Sequence, residues 1–454
     1  MQFVHPKLIW DFRIISLAVA TRLAAIVLLQ GHLVPNSTYE HGSIAENLLA
    51  GRGFSIEFLG AEGPTSQQAP VYPVLVAAAY AVGGVGHPNA LLFLFVCQAV
   101  LGGLLTMGCM RLVQSLLPGR QLAGWLAGMI VALHPSLVYA ATHVQVAGLA
   151  ATLLVWVLVL AQNAAVSTSP KTAAWLGALF GCLVLTDPIL GLCAPAAAWI
   201  FIRDARDWKS AYIRGTIATV AALAVVTPWI ARNATVHGQF VPVKSTFGYA
   251  FWQGNCRLSA GTDKVIRTTV NSVLEEKLAQ RPGSLAGYNA ALWAARHEAG
   301  YIDDIALTHE DKNVLGQLPE PDRSRALFQR ALAELKDEPG RYSALCLARL
   351  KAFLLFDETN PKTRSLLYRT THLSLTGLAL LGLGVAGNQA RRRLAPTLLV
   401  CFLLTLFHTL TIVSSRFHIP IEPLLAAWAG VGVATIWEII SGKPLQVGSE
   451  SPAF

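Results

Sequence analysis

Apolar residues run along this chain in blocks near the length of a bilayer crossing, separated by short polar stretches. A helix rises about 1.5 Å per residue, so roughly 20 apolar residues cross a hydrocarbon core of about 30 Å. Blocks of this kind lie near 13–33, 89–110, 121–140, 146–163, 211–230, 365–387, 395–413 and 421–440. A shorter pair, near 173–186 and 188–202, is interrupted by Thr186-Asp187-Pro188. Counting that pair as two, the pattern predicts about ten transmembrane helices with both termini inside. Residues 71–85 are apolar but too short to span, and predict an interfacial or re-entrant helix.

One large polar region remains, 232–345. Within it the stretch RSRALFQRALAELKD, residues 323–337, repeats Leu327, Ala331, Leu332 and Leu335 at helical spacing. The following stretch, 341–356, is apolar on one side and basic on the other, which suits a helix lying in the membrane interface until Asn360-Pro361 breaks it. Three parts result. They are an N-terminal transmembrane region (1–231) with a first outer loop at 34–70, a mainly helical soluble region (232–345), and an interfacial helix with C-terminal transmembrane helices (346–454).

Composition agrees with the pattern. With 54% hydrophobic and 13% charged residues and a mean hydropathy of +0.49, the chain is too apolar for a soluble globular protein. The net charge of +9 sits mainly in short loops: Arg111 and Arg120, Lys171, Arg203 to Arg214, and the run GNQARRRLA. The positive-inside bias places those loops inside, so the charge reads as topology and implies no nucleic-acid partner. The first outer loop, the 232–345 region and SSRFHIPIEP then share the outer face. Seven cysteines lie mostly in apolar segments without paired spacing, which indicates neither a disulfide framework nor a zinc site. The first apolar run lacks a small-residue cleavage site and is followed by further spans, which argues against a cleaved signal. Within that run Arg22 has two readings, a functional charge or a bundle-facing structural arginine, and the second is preferred.

Chemistry gathers first at YEHGSIAENLLAGRGFS, residues 39–55. Glu40 shares a helical face with Ile44, Asn47 and Leu48. Gly51 and Gly53 stop that helix, and Pro64, Pro70 and Pro73 fold the chain back. Glu40, His41, Gln68, Tyr72, Arg232, Lys244, Trp252, Asn255 and Arg416 all fall on the outer side, with Tyr39 and Asn233 inside the same motifs. A carboxylate beside several guanidinium and ammonium groups at the mouth of a lipid-facing bundle suits an amphipathic anion such as a lipid phosphate. No second histidine stands at ligand spacing from His41, so no metal or other cofactor is indicated.

These motifs resemble the membrane glycosyltransferases of the GT-C superfamily, of the kind related to protein mannosyltransferases and aminoarabinose transferases. The residues that carry the resemblance are YEHGSIAENLLAGRGFS, GPTSQQAPVYPVL (63–75), PWIARNATVHGQFVPV (228–243), FGYAFWQGN (247–255) and SSRFHIPIEPLLA (414–426), in that order. The resemblance implies an all-α bundle with an outer soluble part, in a bacterial inner membrane. It implies transfer of a sugar from a polyprenyl-phosphate donor to a hydroxyl of a protein, lipid or glycan acceptor on the outer face. Three positions depart from the family pattern. Ser37 stands where many members carry an Asp, one turn before Glu40. Gln68 stands where the aminoarabinose branch has a Lys, and Asp187 where an Arg is common.

On this reading Glu40 is the catalytic base of an inverting transfer. Tyr39, His41, Gln68, Tyr72, Arg232, Asn233, Lys244, Trp252, Asn255 and Arg416 are the substrate-binding candidates. The alternative is a flippase or secondary transporter of lipid-linked sugars, with Asp187 as a proton-relay acid. The sugar, the acceptor and the lipid length are not written in the sequence.

Overall fold

A computed structural model describes residues 6–265, 269–280 and 283–442, so both chain ends lie outside the described residues. The architecture is a bundle of membrane helices with a helical outer part. Strand structure among the described residues is confined to one hairpin, Ser55–Phe58 against Ala61–Pro64, with Ser55 opposite Pro64.

Among the described residues, six helices are long and apolar enough to cross a membrane by themselves: Leu8–Leu33, Pro88–Leu116, Ala147–Val166, Trp208–His237, Asn388–Leu410 and Ile419–Ile440. A seventh span forms if Gln121–Leu133 and Pro135–Thr142, bent by 53°, count together. The bend has a local cause, because Pro135 drives His134 into extended backbone at φ −64° and ψ 120°. The other three expected spans are weaker. Pro170–Val184 and Pro188–Arg203 are short, and Leu366–Val385 opens on the polar group Arg369, Thr370, Thr371 and His372. Residues 71–83 form the short apolar helix expected there.

Helix ends follow ordinary capping chemistry. The Asp207 side chain accepts from the Ser210 N–H at 2.8 Å to open Trp208–His237. Gly238 closes it in the left-handed region at φ 63°. Arg232 and Asn233, expected in the soluble region, therefore stand in the last turns of a membrane helix. Arg22 is 1% exposed and donates to the Ala18 and Val131 carbonyls, at 2.9 and 3.2 Å. With Thr21, which donates to Ala132 O at 3.0 Å, it satisfies carbonyls left open where the helix breaks before Pro135. This is the structural reading of Arg22.

Glycines let the membrane helices approach at backbone distance. A Cβ on Gly382 would lie 2.0 Å from the Trp428 carbonyl oxygen, whereas one on Gly384 would meet nothing within 4 Å. Gly382→Ala is therefore expected to destabilise the protein by about 1–3 kcal/mol through overpacking. Gly384→Ala should be neutral or gain up to about 1 kcal/mol from helix propensity. Thermal unfolding of the two variants in detergent checks the contrast, and equal melting temperatures would refute the backbone contact.

The outer part is anchored on the hairpin. Helix Glu320–Asp337 buries Leu327, Ala331 and Leu335 against Phe58, Phe251 and Trp252, with Leu332 packed at the edge. Arg323 donates to the Phe58 carbonyl at 2.5 Å. Glu320 accepts from Ser66 N at 2.8 Å and Ser245 Oγ at 2.6 Å, tying the outer helix to both loops that carry the site.

Candidate active site

Helix Tyr39–Leu49 presents the acid. Glu40 lies in its first turn, where unpaired backbone N–H groups favour a carboxylate. The side chain is half-buried. Just before it, Tyr39 is held at φ 49°, a conformation that costs a bulky L residue about 1–3 kcal/mol and persists only where surrounding structure imposes it. The imposing contacts are aromatic: Trp293 at 5.8 Å, His297 at 6.0 Å and Tyr301 at 6.4 Å between ring centroids.

Around Glu40 lies a first charged group. Backbone pairing of Ser245 N with Ser66 O at 3.0 Å brings the two outer loops together, and Lys244 Nζ then donates to Gln68 Oε1 at 3.1 Å. Burial holds the Lys244 ammonium below the ordinary lysine range, against the pull of the Asp187 and Glu40 carboxylates. His41 is pushed down to about 3 by burial, helped by Lys244 and Arg416, so the ring is neutral. It packs edge-on against Tyr72 at 4.9 Å. Tyr72 is buried and its hydroxyl is committed, donating to Gln98 Oε1 at 2.6 Å and accepting from Gln145 N at 2.7 Å. Tyr72 therefore shapes the wall behind His41.

A second group lines an adjoining cleft, bounded by Tyr39, Tyr139, Trp293, Arg296, Lys362 and Arg416 among others. Helix Leu285–Glu298 delivers Trp293 and Arg296 to it. Asn289, one turn before Trp293, fixes that helix by donating to Leu29 O at 3.0 Å and accepting from Tyr139 OH at 3.0 Å. The Arg296 guanidinium lies over Tyr39 at 5.4 Å and over Trp293 at 5.2 Å. Lys264 is 1% exposed, sits 3.3 Å over the Tyr301 ring, and its Nζ has no hydrogen-bond acceptor among the described residues. Burial, with Arg296 and Arg416 nearby, pushes Lys264 and Lys362 each down to about 8. Asp357 accepts from Ser415 N at 3.2 Å and so orders the loop that ends in Arg416; burial raises its carboxyl to about 6.

The predicted residues thus divide. Tyr39, Glu40, His41, Gln68, Lys244 and Arg416 come together, with Tyr72 behind them. Four others are committed elsewhere. Arg232 donates to Thr65 O at 2.6 Å and Phe54 O at 2.9 Å, clamping the first outer loop. Asn233 is fully buried and donates to the Val241 and Val243 carbonyls, each at 3.2 Å. Asn255 is equally buried, donating to Phe251 O at 2.7 Å and accepting from Arg349 at 3.1 Å. Trp252 is 0% exposed within the outer core, so its faces are covered by Tyr249 and neighbours. Sequence reasoning missed Trp293, Arg296, Lys264 and Lys362. A usable signal existed for three of them: Trp293 and Arg296 stand three apart on one helix face, and Lys362 follows the Asn360-Pro361 break directly.

What this arrangement can do chemically is bind an extended anion beside aromatic faces, next to a carboxylate free to take a proton. No family model and no curated protein matches the chain. Solved structures do match. The apo oligosaccharyltransferase of Archaeoglobus fulgidus aligns over 98% of this chain and 53% of its own, at 12% identity and TM-score 0.57. The same archaeal enzyme, AglB, in complex with an inhibitory peptide and a dolichol-phosphate gives 98%, 53%, 12% and 0.54. ArnT from Cupriavidus metallidurans bound to undecaprenyl phosphate aligns over 95% and 79%, at 15% identity and a lower TM-score of 0.42. The chain spans about half the length of the archaeal enzyme it matches, and the likeness rests on that enzyme. By its helical bundle and this structural likeness, the chain is an all-α polytopic membrane protein that shares the fold of about half of the archaeal oligosaccharyltransferase.

Proposed function

We propose that this protein is an inverting glycosyltransferase that moves a sugar from a polyprenyl-phosphate donor to an acceptor hydroxyl at the outer face of the membrane. The observation that carries the reading is the juxtaposition of Glu40 with Lys244 and Arg416, beside a cleft bearing Arg296 and Lys362. Support also comes from the fold, because the archaeal neighbour is an oligosaccharyltransferase seen with a dolichol-phosphate. In the step itself Glu40 takes the proton of the acceptor hydroxyl as its oxygen forms a bond to the anomeric carbon. The bond from that carbon to the phosphate oxygen breaks, its electron pair leaves with the lipid phosphate, and the cations stabilise the charge that develops there. Tyr39, half-buried at the cleft, offers the face on which a sugar stacks. The decisive experiment incubates purified protein with a panel of polyprenyl-phosphate sugars and an envelope extract, and measures free lipid phosphate and glycosylated product. Movement of intact donor across vesicles without either product would establish the transport alternative instead.

A pH dependence follows from the two lysines. Donor binding should weaken as pH rises through about 8, because Lys362 and Lys264 lose their protons there. Stability of the ligand-free protein should move the other way. In the unfolded chain a lysine titrates near 10.4, so between about pH 8 and 10 the unfolded state binds more protons and stability rises with pH. Donor affinity and melting temperature measured across that window should therefore slope oppositely, and Lys362→Met should reduce both slopes. Parallel slopes would contradict the assignment.

A further inference from the structure

Away from the cleft, three histidine rings converge on one carboxylate inside the helix bundle. Glu422 opens helix Glu422–Ile440, and His418 precedes it by one turn. His372 comes from Leu366–Val385, and His134 from the break before Pro135. All four are buried, at 0%, 3%, 3% and 5% exposure in that order. His418 Nδ1 lies 2.9 Å from Glu422 Oε1, and His134 Nδ1 lies 3.4 Å from Glu422 Oε2. One ligating atom from each of His372, His418 and Glu422 falls within 4.8 Å of the others.

The outer nitrogens of two rings are already committed. His372 Nε2 meets the Leu354 carbonyl at 3.0 Å, and His418 Nε2 meets the Tyr368 hydroxyl at 2.6 Å. The inner atoms face one another: Nδ1 of His418 and of His134 point at the two Glu422 oxygens, and Nδ1 of His372 has no hydrogen-bond partner among the described residues. Buried polar atoms are rarely left unpaired, and such gaps commonly mark an ion. A ring held at one nitrogen by an acceptor, with the other aimed inward, is the arrangement that orients a histidine ligand.

We propose that His372, His418 and Glu422 bind one divalent transition metal, zinc by donor set, at a structural site, with His134 beside it at 3.4 Å from Glu422 Oε2. Two imidazole nitrogens with one carboxylate suit zinc or cobalt. The site pins the cleft from below. Ser414, Ser415 and Arg416 line the cleft just before His418, and Lys362 lies 5.7 Å over the ring of Tyr368. The metal thus ties the Arg416 loop to two further helices and is distinct from the Glu40 group.

The test uses full-length, tag-free protein in detergent, stripped with a chelator and titrated with Co²⁺. The expected result is visible absorption of tetrahedral cobalt saturating at one ion per chain, displaced by Zn²⁺, with a rise in melting temperature on binding. His372→Gln and Glu422→Gln should each abolish the band. A stripped, folded wild type that develops no band would overturn the proposal, leaving a metal-free Glu422–histidine ion pair. A band unchanged in both variants would overturn it equally, by placing the metal elsewhere. Should the variants fail to fold, X-ray absorption of the zinc-loaded wild type decides: nitrogen and oxygen ligands with imidazole outer-shell scattering are expected. Sulfur ligation, or no imidazole signal, refutes the site.

Discussion

Glu40→Gln is expected to lower sugar transfer by at least about a hundredfold while leaving the melting temperature and donor affinity close to wild type. The carboxamide keeps the size of the side chain and its place in the first turn of Tyr39–Leu49, but it cannot accept the acceptor's proton. General-base catalysis contributes about 10² to 10⁴ in rate, which sets the floor of the expected loss. Glu40→Asp separates basicity from reach. It keeps the base and withdraws it by about one bond, and a misplacement of about 1 Å is enough to cost on the order of a hundredfold. Both variants should therefore be impaired, the aspartate recovering more as substrate concentration rises only if the acceptor can follow the acid inward. Release of free polyprenyl phosphate from a saturating donor measures this directly. A fully active Glu40→Gln protein would remove Glu40 from the chemistry and make Asp187, whose carboxylate also bears on Lys244, the next acid to substitute.

The bundle was legible because hydrophobic length is set by the bilayer, and length survives without knowledge of contacts. Most of the long blocks appear as helices close to where the apolar runs lie. What blurred the count was local: Pro135 bends one span, and the hairpin at Asp187 is built from two helices too short to cross unaided. The acid-bearing helix was legible for a similar reason, since Gly51 and Gly53 adopt φ 75° and 72° and end it where expected. The hairpin at 55–64 went unseen, being only four residues a strand.

The candidate site was half legible. Glu40, Gln68, Lys244 and Arg416 stand in motifs whose order along the chain points to one face, and the fold gathers them there. Arg232, Asn233 and Asn255 stand in the same motifs, yet their polar atoms hold loop carbonyls in place. A motif records that a residue type is required; it does not separate a group that touches substrate from one that positions the loop which does. Arg296 was missed for the opposite reason. It comes from the polar region between membrane segments, where its spacing from Trp293 marks a shared helix face but not the direction that face turns, and Asn289 docking against Leu29 and Tyr139 turns that helix inward.

Arg416 joins the two charged groups, and its removal should cost nearly as much as that of Glu40. Its charge bears on Lys244 and His41 on one side and on Lys264 and Lys362 on the other. A phosphate seated between the groups would meet Arg416 whichever end of the donor enters first. Arg416→Ala is expected to lower kcat/KM by about 10² to 10³, the range for losing one donor to a developing negative charge in a water-poor site. Part of that loss should appear as weaker donor binding. Arg416→Lys restores the charge without the planar fork, so it should recover affinity more than rate if the guanidinium holds two phosphate oxygens at once. The competing role is an interface anchor that fixes the loop before His418. An anchor would show itself as a lower melting temperature with donor affinity per folded molecule unchanged in both variants. Measuring binding and unfolding on the same preparations separates the two, because a phosphate ligand shifts the first and an anchor shifts the second.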